Sequence, residues 1–296
     1  MENKLIVILG PTSSGKSDLA VKIAKKIKAE IISADSRQVY KGMDIGSGKI
    51  TKKEMQNIPH YLLDIACPKR RFTASQYQAL AKKAISKIIK NGKIPIICGG
   101  SGFYIQAAVD GIIIPKVKPD FLLRKKLEKL TTQELFSRIK KLDKKRAKNI
   151  DKNNRRRLIR ALEILIKTKK PIPSFKKNPL PYPILIIGIK KEKEELKKLI
   201  RKRLLKRLKQ GMIQEIKNLR KSGISWKRLE EFGLEYRFIS LYLQKKISKK
   251  EMQENLQKEI EQFAKRQMTW FKKDERIHWI KNYKEAEKLV KNYLKK

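Results

Sequence analysis

Apolar runs and helical patterns alternate through the first hundred residues. Leu5 to Leu9 (LIVIL) is a continuous apolar run, and Leu19, Ala20, Ile23, Ala24 and Ile27 then recur on one helix face. Ala29 to Ser33 reads as a second strand, and Tyr61 to Ile65 (YLLDI) as a short third one. Thr73 is placed to cap a helix that buries Tyr77, Leu80, Ala81, Ala84, Ile85 and Ile88 and stops at Asn91-Gly92. Ile94 to Cys98 is apolar throughout, the mark of a strand covered on both faces. Gly99-Gly100-Ser101-Gly102 then turns into another helix. This alternation predicts an α/β fold, a parallel sheet flanked by helices.

The pattern changes after Ile112-Ile113-Ile114-Pro115. From Pro119 to about Thr168 only helical spacings occur, with Leu122, Leu123, Leu127 and Leu130 on one short helix and Leu158, Ala161, Leu162, Leu165 and Ile166 as the core face of a longer one. Thr131 or Thr132 starts a helix between them, and Asp143 a further one. Lys169 to Pro183 is rich in proline and cannot be regular helix. Ile184 to Ile189 (ILIIGI) is again a buried strand. The expected organisation is a core from 1–118, an all-helical insertion over 119–180, and a resumed core with C-terminal helices over 181–296. The last part holds helical patterns from Glu192 to Leu208 and from Met212 to Gly223. A capping box at Ser248-Lys249-Lys250-Glu251 opens a helix to Phe271.

Composition adds a partner class. The 296 residues carry a formal net charge of +46, which attracts polyanions, nucleic acid first and an anionic membrane second. A lysine excess spread over the whole chain is the plainer explanation for part of it. No run approaches the length of a membrane span, and the N-terminal apolar run is too short for a signal peptide. Cys67 and Cys98 are the only cysteines and, with His60 and His278, show no zinc spacing. A cytoplasmic monomer is expected.

The chemistry starts at Gly10-Pro11-Thr12-Ser13-Ser14-Gly15-Lys16-Ser17. The spacing G-x-x-x-x-G-K-S between a strand and a helix turns backbone N–H groups onto phosphate oxygens, adds a lysine charge, and offers Ser17 to a magnesium ion. By itself the loop points to a nucleoside triphosphate. Asp35-Ser36-Arg37-Gln38 follows the second strand, where ligands bind in open sheets. It reads equally as a capped turn. Gly42 to Lys49 holds three glycines and is expected to be an irregular, mobile loop. Ser101 offers a free hydroxyl in the glycine turn. Arg156 and Arg160 sit four apart on a helix, suited to phosphate or simply solvated. Cys-Gly-Gly follows the strand at 94–98, so an acidic residue of the motor-ATPase kind is missing there and Asp35 is the acid at hand.

GPTSSGKS (10–17), ADSRQVYKGMDIGSGK (34–49), PHYLLDI (59–65), GGSGFY (99–104), RRLIRALE (156–163) and KRQMTWF (265–271) together resemble the tRNA dimethylallyltransferase family, in that family's order and over nearly the whole chain. The resemblance implies that dimethylallyl diphosphate, with magnesium, sits in the phosphate loop. Its dimethylallyl group goes to N6 of the adenosine on the 3′ side of the tRNA anticodon. It also implies Asp35 as the catalytic base, with Thr12 and Lys16 at the reacting centre. It implies tRNA contacts at Asp35, Ser36, Arg37, Gln38, Ser101, Arg124 and the run Arg156, Arg157, Leu158, Ile159 and Arg160, so the helical insertion becomes a clamp on the anticodon stem-loop. Arg266 is open between the phosphate site and the RNA.

Departures from the family pattern are local. Ser101 stands where threonine is usual, IGSGK replaces IGTAK and suggests a looser loop, and Tyr61 stands where histidine is frequent. FGLEYR replaces a Gly-Tyr-Arg run, so only Tyr236 and Arg237 carry over. The zinc-finger ligands of eukaryotic members are missing, which makes the likeness bacterial in type. The rival readings are a small-molecule kinase, an enzyme prenylating free AMP, and an RNA-binding phosphate-loop protein without chemistry.

Overall fold

A computed structural model describes residues 3–115, 117–173 and 177–295. The chain divides into two compact units, one running to Val109 and resuming at Leu180, the other Asp110–Pro179. Ser174 to Lys176 of the proline-rich run lie outside the described residues.

The first unit is built on six strands: β1 (Leu5–Leu9), β2 (Ala29–Ala34), β3 (His60–Tyr61), β4 (Ile94–Gly99), β5 (Ile184–Ile189) and β6 (Ile277–Ile280). They form one parallel sheet in the order β3-β2-β4-β1-β5-β6. β1 is central, with Val7 opposite Ile97 on one side and Ile186 on the other. Its alternate residues enter different cores. Leu5, Val7 and Leu9 meet Tyr77, Ile85 and Ile88 of the helix Ala74–Lys90, while Ile6 and Ile8 meet Leu19, Ile23 and Ala24 of the helix Lys16–Ile27. Double coverage explains why these strands are apolar without alternation. Because the strands are parallel and in register, the loops after β1, β2 and β4 emerge along one edge, where ligands bind in such sheets.

β3 is shorter than the apolar run Tyr61 to Ile65 suggests. Leu62 and Asp64 both take positive φ, 64° and 56°, which ends the ladder after Tyr61. Helix starts follow their caps closely. Thr73, Thr131 and Ser248 each form a reciprocal capping box with Gln76, Glu134 and Glu251.

The second unit holds the helices Phe121–Leu127, Thr132–Leu142, Lys144–Asn149 and Arg155–Thr168 around Leu135, Ile139, Leu158 and Leu162. Asp120, Thr131, Asp143 and Asn154 cap them in turn. Residues 110–118 belong to this unit too. The Asn178 N–H donates to the Gly111 carbonyl at 3.1 Å, and Ile112 pairs with Lys177. No helix among the described residues is long and apolar enough to cross a membrane.

Candidate active site

The phosphate loop leaves β1 and enters the helix Lys16–Ile27 at Gly15. Lys16 Nζ folds back on the Pro11 carbonyl at 3.2 Å. Burial, and then the neighbouring Arg203 guanidinium, hold the Lys16 ammonium below its ordinary range, while Cys98 and the nearby Asp35 carboxylate act the other way. Ser14 Oγ is buried without a hydrogen-bond partner. Two packed cations and an orphaned hydroxyl make the loop a receptor for a compact polyanion.

Asp35 lies directly beyond β2. Its Oδ1 accepts the backbone N–H groups of Arg37 at 2.8 Å and Gln38 at 3.3 Å. The cluster is thus a capped turn, and Oδ2 carries no hydrogen bond within the described residues. Arg37 Nε donates to the Phe232 carbonyl at 2.7 Å, and its guanidinium lies over the Phe232 ring. Gln38 accepts from Ser33 Oγ and donates to the Gly48 carbonyl. The Ser101 hydroxyl is not free as expected. It accepts the Ser36 N–H at 3.0 Å, while the Ser101 N–H donates to the Ala34 carbonyl, so the turn after β4 braces the turn after β2.

The loop Gly42 to Lys49, expected to be mobile and looser for its IGSGK sequence, is instead held from both sides. Glu215 accepts the N–H groups of Asp44, Ile45 and Gly46 at 2.9, 2.6 and 2.9 Å, and the Tyr236 hydroxyl also donates to it. Arg207, buried and paired with Glu235 at 2.9 Å, donates to the carbonyls of Ile45 and Gly46. Arg203 donates to the Gly48 carbonyl at 3.1 Å. Gly48 has φ +60°, and a Cβ there would lie 2.2 Å from the Arg203 guanidinium. A loop that is irregular in sequence is ordered here by three charged side chains, Glu215, Arg207 and Arg203.

Two residues of this site escape a reading of the sequence. Arg203 is one of many basic residues on the helix Lys193–Lys209; its only signal is its place beside the buried Ile200 and Leu204. Gln267 is the other. It is 7% exposed, accepts the Thr12 N–H at 2.9 Å and donates to the Gly100 carbonyl at 2.8 Å, stapling the phosphate loop to the turn after β4. A glutamine on the apolar face of the helix Lys249–Phe271 is its signal. Arg266 beside it is exposed and pairs with Glu259 on its own helix at 3.7 Å. Arg237 is exposed as well, and Tyr236 is buried.

In the helical unit the arginines separate into two kinds. Arg124 grips the fully buried Glu163 with two bonds of 2.8 and 2.7 Å, and Arg160 pairs with the same carboxylate and with the Val117 carbonyl. Burial pushes the Glu163 carboxyl up, but Arg124, the Asp120 N–H and Arg160 together hold it below its ordinary value. Arg156 and Arg157 are exposed, with no side-chain hydrogen bond or ion pair among the described residues. Leu158 and Ile159 face inward, 0% and 7% exposed, so their side chains belong to the unit's core, whereas Ile166, expected on that face, is turned outward and 43% exposed.

Among the described residues no group of three or more His, Cys, Asp or Glu could hold a metal ion. A metal at this loop would take the Ser17 hydroxyl and otherwise the oxygens of a bound phosphate group and water, the usual coordination of magnesium on phosphates.

The family model described as IPP transferase matches residues 38–274. The chain belongs to this family. It is 39% identical to a tRNA dimethylallyltransferase of Halothermothrix orenii, covering 98% of this chain and 93% of that protein. It is 40% identical to one of Thermoanaerobacter sp., covering 100% and 98%. Among solved structures, the full-length tRNA isopentenylpyrophosphate transferase of Bacillus halodurans superimposes with a TM-score of 0.74 at 33% identity, over 99% of this chain and 96% of that one. A eukaryotic dimethylallyltransferase acting on tRNA gives 0.76 at 28% identity, over 90% and 69%. The two relatives and the Bacillus halodurans structure, each matched over 98% or more of this chain, take in the phosphate loop, which precedes the range of the IPP transferase model.

Proposed function

We propose that this protein transfers the dimethylallyl group of dimethylallyl diphosphate to N6 of the adenosine on the 3′ side of the anticodon of tRNA, releasing pyrophosphate. The observation that carries this is the Asp35 carboxylate, fixed through one oxygen and uncommitted at the other, in the electrostatic reach of the phosphate-loop Lys16 in a member of the IPP transferase family.

The exocyclic amine of adenine is a weak nucleophile because its lone pair is shared with the ring. Asp35 Oδ2 orients it and accepts its proton as the new N6–carbon bond forms. The allylic C–O bond breaks with its electron pair going to the diphosphate. Lys16, Arg203 and the backbone N–H groups of Ser13, Gly15, Lys16 and Ser17 stabilise the charge that grows there, while the Thr12 N–H is held by Gln267 and the Ser14 N–H by the Pro11 carbonyl. The Thr12 hydroxyl donates to a diphosphate oxygen. Mg2+ on the Ser17 hydroxyl and the phosphate oxygens would add further countercharge. An adenine inside a stacked loop cannot reach Asp35, so it must be turned out.

On the RNA side, Asp35 to Gln38 and Ser101 meet the displaced adenosine and its neighbours. Arg156 and Arg157 grip phosphates from the helical unit. Arg124 and Arg160 act mainly by holding that unit together through Glu163, with their remaining donors directed to RNA. Leu158 and Ile159 contribute by placing the arginines. We take the enzyme to work as a monomer in the cytoplasm, where its tRNA substrate is found.

Label carried on the dimethylallyl group should pass to tRNA in magnesium-containing buffer, and not to AMP. Transfer to AMP alone overturns the proposal.

A further inference from the structure

Phe103 and Trp270 form an edge-to-face pair with centroids 6.4 Å apart and planes at 86°. Both are large and apolar, yet 38% and 36% exposed. The pair lies at the rim of the phosphate site. Trp270 is one turn beyond Gln267, which holds Thr12 and Gly100, and its indole rests against Gly102 so closely that a Cβ there would come 2.4 Å from the ring. The position is built, since the chain gives up a side chain at 102 to seat an indole that remains open to water.

The surroundings define what the pair meets. Lys265, Arg266, Lys272 and Lys273 lie within five positions of Trp270 in the chain, all exposed, with Arg266 paired to Glu259. Exposed aromatic rings set among cations are the pattern of a single-stranded nucleic-acid groove, where each ring takes the face of a base and the cations follow the backbone. The apolar tail of the donor is a poor occupant, because an allylic centre needs water excluded and this pair is more than a third open to it. Turning the target adenine out of the loop deprives its neighbours of a stacking partner.

We propose that Trp270, braced by Phe103 and Gly102, is a stacking platform for a nucleobase of the anticodon loop next to the target adenosine. The proposal rests on the tRNA-modifying function inferred above and adds a contact to it.

The test is equilibrium binding of an anticodon stem-loop RNA, and of versions with an abasic residue at either position flanking the target, to native protein and to Trp270→Ala, Trp270→Phe and Phe103→Ala. In native protein one abasic position should weaken binding about tenfold and abolish the quenching of tryptophan fluorescence seen with the intact loop. Trp270→Ala should lose a similar factor and then be indifferent to that abasic residue. Trp270→Phe should retain most of the affinity, and Phe103→Ala should fall between. Three results overturn the proposal: native affinity in Trp270→Ala, an abasic penalty equal in native and variant protein, or a loss confined to dimethylallyl diphosphate binding. The native-protein arm stands even where an alanine variant fails to fold. Failure of the native enzyme to prenylate a stem-loop that it binds would count against the proposed function, and leaves the stacking measurement to be read by itself.

Discussion

Asp35 has two tasks that its two oxygens divide. Oδ1 caps the turn that carries Arg37 and Gln38, and Oδ2 is the oxygen that the proposed mechanism gives to the substrate amine. Asp35→Asn keeps an oxygen for the cap and removes the base. Turnover should fall by about 10² or more with little change in melting temperature or tRNA affinity, whereas Asp35→Ala should lose a further ~1 kcal/mol of stability. Steady-state kinetics and thermal melting of both variants check this. Lys16 makes the complementary case. Its folded pKa is depressed by burial and by Arg203, so burying the charged form opposes folding below that pKa, and the penalty fades as pH rises through it toward the ordinary lysine range. The stability of native protein relative to Lys16→Met should therefore improve between neutral and alkaline pH. Pyrophosphate should raise the native melting temperature at neutral pH and leave that of Lys16→Met almost unmoved.

The elements show where the sequence is legible and where it is not. Strands covered on both faces and helices opened by Thr73, Thr131 or Ser248 can be read because their signals are local. The loop Gly42 to Lys49 cannot, since what orders it is 150 residues and more along the chain, in Arg203, Arg207 and Glu215. Gln267 is hidden for the same reason, its partners being 255 and 167 positions away. Glu215→Ala would orphan three backbone N–H groups. It should open that loop to proteolysis between Gly42 and Lys49 and cost about 1–3 kcal/mol. In the helical unit the pattern of Arg156 and Arg160 suggests twin phosphate grips, and the buried Glu163 claims one of them. Glu163→Gln should destabilise the unit by about 3 kcal/mol, because two partly buried guanidiniums lose their counter-ion. Glu163 is held below its ordinary pKa, so its stabilising effect is complete above the unfolded value and is lost as pH falls through the folded one. An acid titration of helicity, native against Glu163→Gln, checks the sign.

For the molecule as a whole, charge and chemistry point to the same substrate. A net charge of +46 with exposed arginines in the helical unit suits a long polyanion, and tRNA binding should weaken steeply and linearly in the logarithm of salt concentration. A flat salt profile would detach the lysines from RNA. The phosphate loop taken alone names only an anion. In the proposed mechanism it is the Asp35 carboxylate next to it, within a chain of the IPP transferase family, that makes the anion a leaving group and the acceptor an amine. The measurement that bears most directly on this is nucleoside analysis of tRNA after incubation with the protein, dimethylallyl diphosphate and magnesium. N6-isopentenyladenosine at the position 3′ to the anticodon, with one pyrophosphate released per nucleoside formed and almost none of either from Asp35→Asn, is the predicted result. Unmodified tRNA, or the same yield from Asp35→Asn, would contradict the account.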